Sequence, residues 1–168
     1  MPEDFSVQID RLGRGDLPID EQRSLAADLG RLKDPASEAA LISLLGSSDS
    51  IVRYNAIIAL GFDRGVRSAS TIFTSLLEND PDEDCRSASA GALGQMFQKT
   101  KDRKVLQAVG NAALEDSDEY VRRSAYKAAL IVWGVPPEEH LALLRNETLV
   151  VDPDKIKSLL SESNGRTG

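Results

Sequence analysis

One short phrase recurs three times along the chain, and it limits what the chain can fold into more than any other feature. Asp49 precedes Arg53 by four residues, as Asp82 precedes Arg86 and Asp118 precedes Arg122. From Asp49 to Asp82 is 33 residues and from Asp82 to Asp118 is 36, and the arginines keep the same intervals. Each Arg leads into a run of small and apolar residues: Asn55 to Gly61, Ala88 to Gly94, and Ser124 to Leu130. A degenerate copy precedes them, Leu25 to Gly30, with Gln22 in the place of the Arg. Self-similarity at such a period marks a repeat architecture, in which one unit cannot bury its apolar face alone and must stack on its neighbours.

Behind each small-residue helix the sequence predicts a second helix, over 39–45, 71–77, 105–114 and 141–144. Their apolar residues fall at i, i+3 and i+4, the helical period. Ala and Gly on the first helices allow close approach, and the Leu, Ile and Phe ridges of the second fill the space between neighbours. The expected fold is all-α, a right-handed α-α superhelix of about four hairpins. The expected repeats are 18–47, 48–79, 80–116 and 117–146, in a single domain over 1–162. Phe5, Ile9 and Leu12 predict an N-terminal capping helix within 3–13, and Ile156, Leu159 and Leu160 a C-terminal one within 152–162. Residues 163–168 are expected to form a disordered tail.

The phrase Asp-x-x-Val-Arg followed by Ala and Leu-Gly resembles HEAT-like repeats of the phycobilisome-lyase type, within the armadillo-type superhelices. The resemblance covers Pro18 to Leu144, with departures at Gln22 and at Leu130, where Gly is expected; it implies modified outer repeats. It also implies a choice of roles, since similar proteins include protein-binding scaffolds, chromophore-lyase subunits, a hydroxylase and DNA-repair glycosylases. Asp49, Asp82 and Asp118 are expected to cap the helices that follow them. Arg53, Arg86 and Arg122, one turn later, are expected to pair with these Asp residues or with the Asp of the adjacent repeat. That reading makes all six a structural ladder and assigns them no catalysis.

Composition narrows the chemistry. The chain has one histidine, His140, and one cysteine, Cys85, so the His-Glu pairs of a di-iron hydroxylase are missing and a zinc site would lean on carboxylates. There is no Gly-x-Ser-x-Gly elbow and no glycine-rich phosphate loop. No cofactor or metal is expected, and no enzyme activity. A net charge of -7 opposes tracking of a nucleic-acid backbone. No run approaches the roughly 20 apolar residues of a membrane span, and the start of the chain lacks the pattern of a signal peptide. The expectation is a cytoplasmic monomer without nucleic-acid or membrane partners.

Two surfaces remain as candidates for binding a protein or peptide. The second helices would line a concave face carrying Ser43, Thr74, Gln107 and Asn111. The turns carry Glu78, Asp80, Asp82, Glu83 and Asp84, then Glu115, Asp116, Asp118 and Glu119. Stacked side by side, these carboxylates would make an acidic edge attractive to a basic partner. The reading is a non-enzymatic scaffold or adaptor, with the subtype of the resemblance implying an alternative, an accessory or lyase subunit for a bilin-type chromophore.

Overall fold

The computed structural model describes residues 5–32, 35–136, 138 and 150–164. Among them are nine α-helices and no strand. Two compact units meet in the sequence between Ala69 and Ser70.

The first unit holds α1 (Ser6–Arg14), α2 (Ile19–Leu29), α3 (Pro35–Leu44) and α4 (Ser50–Ile57). Here α2 packs on α4 and α1 on α3, so first helices lie on first helices and the N-terminal cap lies on a second helix. Leu25, Leu29, Leu41, Leu44, Val52 and Ile57 are fully or almost fully buried. The cap is looser than its apolar spacing predicts, because no residue of α1 is buried. Leu17, in the loop between α1 and α2, is buried. Beyond Ile57 the helix widens to a π turn over Ile58–Asp63, followed by a 3-10 turn at Arg67–Ala69.

Gly30 explains how the end of α2 and the π turn after α4 come so close. A Cβ built on Gly30 would lie 2.9 Å from the Cβ of Ala59 and 3.1 Å from Oδ2 of Asp63, inside normal contact distance.

The second unit holds α5 (Ser70–Asn79), α6 (Glu83–Met96), α7 (Arg103–Glu115), α8 (Glu119–Trp133) and α9 (Pro153–Asn164). Its layers repeat the logic of the first. The helix α6 packs on α8, α5 on α7, and α9 extends the contacts of α7. Phe73, Leu77, Leu93, Leu106, Val109 and Ile156 form its buried centre, and Cys85 is buried as well. The approach of α6 to α8 again depends on the repeat glycine, since a Cβ on Gly94 would sit 2.9 Å from Cα of Ala128. Ser87 and Ser124 share a 2.8 Å hydroxyl hydrogen bond between α6 and α8.

Helix α9 is a firmer cap than α1. Ile156 and Leu159 are buried, and Leu160 lies on Gly110 of α7, where an added Cβ would come within 3.0 Å of its side chain. It runs two residues past the expected boundary, through Asn164, with Ser163 buried and its hydroxyl donating to the carbonyl of Leu160. The expected second helix over 141–144, with His140, lies outside the described residues.

Candidate functional site

The turns before α4, α6 and α8 are built from one pattern, and the pattern uses more residues than the Asp and Arg of the repeated phrase. Asp49, Asp82 and Asp118 are N-caps, each accepting a 3.0 Å hydrogen bond from the backbone N–H three residues on, at Val52, Cys85 and Val121. Two residues before each cap stands a second acceptor. The hydroxyl of Ser47 and the carboxylates of Asp80 and Asp116 accept from the N–H of Asp49, Asp82 and Asp118, at 3.3, 3.0 and 2.9 Å. Thr100 and Asp102 do the same work before α7. Donors that a helix start leaves without partners are thereby satisfied.

The arginines close the same turns from the other side. Nη1 of Arg53, Arg86 and Arg122 donates to the carbonyl six residues back, at Ser47, Asp80 and Asp116, over 2.9, 2.9 and 2.7 Å. Each Arg is thus a strut across its own turn. In the first repeat the task is divided. Gln22 takes the strut, donating from Nε2 to the carbonyl of Leu17 at 2.8 Å, while Arg23 takes the pairing.

Within each unit an ion pair joins consecutive turns. Arg23 meets Asp49 with Nε and Nη2 on the two carboxylate oxygens. Arg86 meets Asp116 in the same two-pronged way, with Nε to Oδ2 at 2.9 Å and Nη2 to Oδ1 at 3.1 Å. Such fork geometry is the strong form of the Arg–carboxylate contact. The Asp116 hydrogen bonds raise the Arg86 guanidinium pKa further above its ordinary value. Those from Arg23 hold the Asp49 carboxyl below the usual range, against opposition from partial desolvation and with help from the N–H of Val52.

The sign of that shift makes a prediction. A carboxyl whose folded-state pKa lies below its unfolded value contributes stability at neutral pH and loses it as the pH falls through the folded pKa. Asp49→Asn should therefore flatten the acid limb of the stability curve below about pH 4, read by urea unfolding across pH. An acid limb unchanged from wild type would deny the Arg23–Asp49 pair a role in stability.

The expected acidic edge is redistributed by this pattern. Asp80 is buried, Asp116 is engaged by Arg86, and Asp82 and Asp118 are half-buried caps. Glu78, Glu83, Asp84, Glu115 and Glu119 remain exposed, with Glu119 at 4.0 Å from Arg123. On the second helices Ser43, Gln107 and Asn111 are exposed, and Gln107 donates to Asn111 at 2.8 Å. Thr74 is half-buried, its hydroxyl turned back to the carbonyl of Ser70. The roles of Ser47, Asp80, Asp116 and Arg23 were not anticipated from the repeated phrase. Their signal was present, because Ser or Asp stands two residues before each of Asp49, Asp82 and Asp118.

No group of three or more His, Cys, Asp or Glu side chains poised for a metal occurs among the described residues. No helix among them is long and apolar enough to cross a membrane. None of the curated proteins compared matches the chain. A family model of HEAT repeats matches it twice, over residues 9–94 and again over 72–156. The match is to HEAT repeats in general and carries no lyase subtype. With hairpins whose first helices pack on first helices, clamped turns at the repeat period and this double match, the chain belongs to the family of HEAT repeats, an all-α solenoid class.

Proposed function

We propose that this protein is a non-enzymatic interaction module that binds a basic protein or peptide along the exposed carboxylates of its turns. HEAT repeats are generally protein-interaction scaffolds, which supports the reading at its coarsest. The observation that carries the finer reading is the clamp in the second unit. It holds the turn of Asp116 to Arg86, and Glu83, Asp84, Glu115 and Glu119 are exposed at those two consecutive turns. These four are separate from the caps and struts, so they can meet a partner while the turns stay closed. Their field would speed encounter with a basic surface, and salt would weaken it.

The test is affinity capture from source-cell lysate with the wild type and with the variant Glu83→Gln, Asp84→Asn, Glu115→Gln, Glu119→Gln, at low and high salt. A partner bound by the wild type, weakened by salt and at least tenfold depleted in the variant is the expected result. A partner retained by this variant and lost by Gln107→Ala with Asn111→Ala would move binding to the second helices. Capture of no partner by either protein would count against the scaffold reading itself.

A further inference from the structure

The far end of the second unit carries the opposite charge. The helix α6 leads away from the acidic turn to the loop 97–102, and at about 1.5 Å per residue its 14 residues place the two ends roughly 20 Å apart. There a cavity of about 360 Å³ is lined by Lys99, Lys101, Lys155, Trp133, Gly134 and Val135. The run from Lys99 to Lys104 holds four cations in six residues, in a chain whose net charge is -7.

We propose that this cavity is a binding site for a phosphomonoester, held by the ammonium groups of Lys99, Lys101 and Lys155. Three observations lead there. First, none of the three lysines has a carboxylate within ion-pair distance among the described residues, although acids outnumber bases in the chain by 27 to 20. Second, two of them are held in a backbone conformation that favours glycine or asparagine: Lys99 has φ 59° and Lys101 has φ 56°. Their N–H groups donate to the carbonyls of Ile131 and Val132 at the end of α8, both at 3.0 Å, which fixes the loop in place. Strain of this kind persists where surrounding structure imposes it, and it gathers at binding sites. Third, Nζ of Lys101 lies 4.5 Å from the ring centre of Trp133, so the cation is positioned by the indole face.

Helix electrostatics accounts for only part of this arrangement. Lys99 and Lys101 sit at the C-terminal end of α8, where the macrodipole favours a cation. Lys155 sits in the first turn of α9, where the dipole disfavours one, yet it lines the same cavity. Its place there is explained by a bound anion shared with the other two.

The choice of anion follows from the donors. A planar carboxylate is matched by the fork of Arg, and no Arg lines the cavity among the described residues. Three separate point charges suit a compact dianion whose tetrahedral oxygens meet donors in several directions. The volume exceeds that of the phosphate alone and falls in the range of small-molecule pockets, leaving room for the group that bears it.

Trp133 is the one tryptophan of the chain, so its fluorescence reports this cavity alone. The probes are O-phosphoserine, phenyl phosphate, a phosphoserine peptide, serine and succinate, titrated into the full-length chain at constant ionic strength. A saturable change with the phosphorylated probes and none with serine is expected. Lys155→Gln and Lys99→Asn should each weaken it about tenfold, with the helical circular dichroism and melting temperature confirming that both variants fold; Asn is chosen at position 99 because it tolerates the local backbone. Tighter binding of the peptide than of phosphoserine would assign a protein-borne phosphate, and equal binding a small ester. Equal responses to succinate, no saturable response, or full retention by the folded variants would each overturn the site. None of these readouts depends on the acidic turns, so the two proposals stand or fall separately.

Discussion

Replacing Gly94 by alanine is expected to lower the unfolding free energy by about 3 kcal/mol. The reason is the contact it would create. The new Cβ would stand 2.9 Å from Cα and 3.0 Å from Cβ of Ala128, and neither of these atoms belongs to a flexible side chain that could swing aside. Relief requires α6 and α8 to separate, which loosens Leu93 and the Ser87–Ser124 hydrogen bond together. The intrinsic helix preference of Ala over Gly, worth about 1 kcal/mol, works in the other direction and is outweighed. The matched control is Gly13→Ala, also within a helix but with nothing within 4 Å of the added carbon, which should be neutral or stabilising by up to about 1 kcal/mol. Urea unfolding followed by circular dichroism measures both. Equal effects at the two positions would mean that α6 and α8 do not approach as closely as described.

Asp116→Ala is expected to cost about 2–3 kcal/mol. This carboxylate receives two bonds from Arg86 and one from the N–H of Asp118, and its side chain is only 9% exposed against 12% for Arg86. Its loss would leave a largely enclosed guanidinium without its counter-charge and a cap residue without its brace. Glu115→Ala, one residue away and exposed, should change stability by no more than about 0.5 kcal/mol. Because the penalty is that of a stranded charge, adding Arg86→Met to Asp116→Ala should recover part of the loss. An Asp116→Ala effect no larger than that of Glu115→Ala would remove the clamp from any account of how consecutive turns are held together.

Both effects bear on how much could be read in advance. The Leu-Gly pairs at Gly30 and Gly94 signal close approach, yet the atom each glycine approaches is an alanine two positions before the next repeat's equivalent residue. That offset comes from how two helices settle against each other, and no local pattern encodes it. The capping Asp residues were legible because N-cap chemistry is local, reaching only three residues. The partner of Arg86 was not, because Asp118, the next repeat's cap, lies closer to the repeated phrase than Asp116, and only packing decides between them. The acidic edge shows the same limit. A run of carboxylates reads as one charged surface, but Asp80 turns inward to its own turn while Glu83 and Asp84 face outward.

By itself the sequence determined the helical class, the repeat period and the small-residue helices, since these follow from periodicity and from volume limits that every copy shares. It also placed the caps, whose hydrogen bonds close within a single turn. Tertiary structure alone decided which carboxylates are consumed by arginine and which stay exposed, how the strut and the pairing divide between Gln22 and Arg23, and that Lys155 joins Lys99, Lys101 and Trp133 around one cavity. Those outcomes depend on distances between residues some 25 to 55 positions apart, and such distances exist only once the helices have packed.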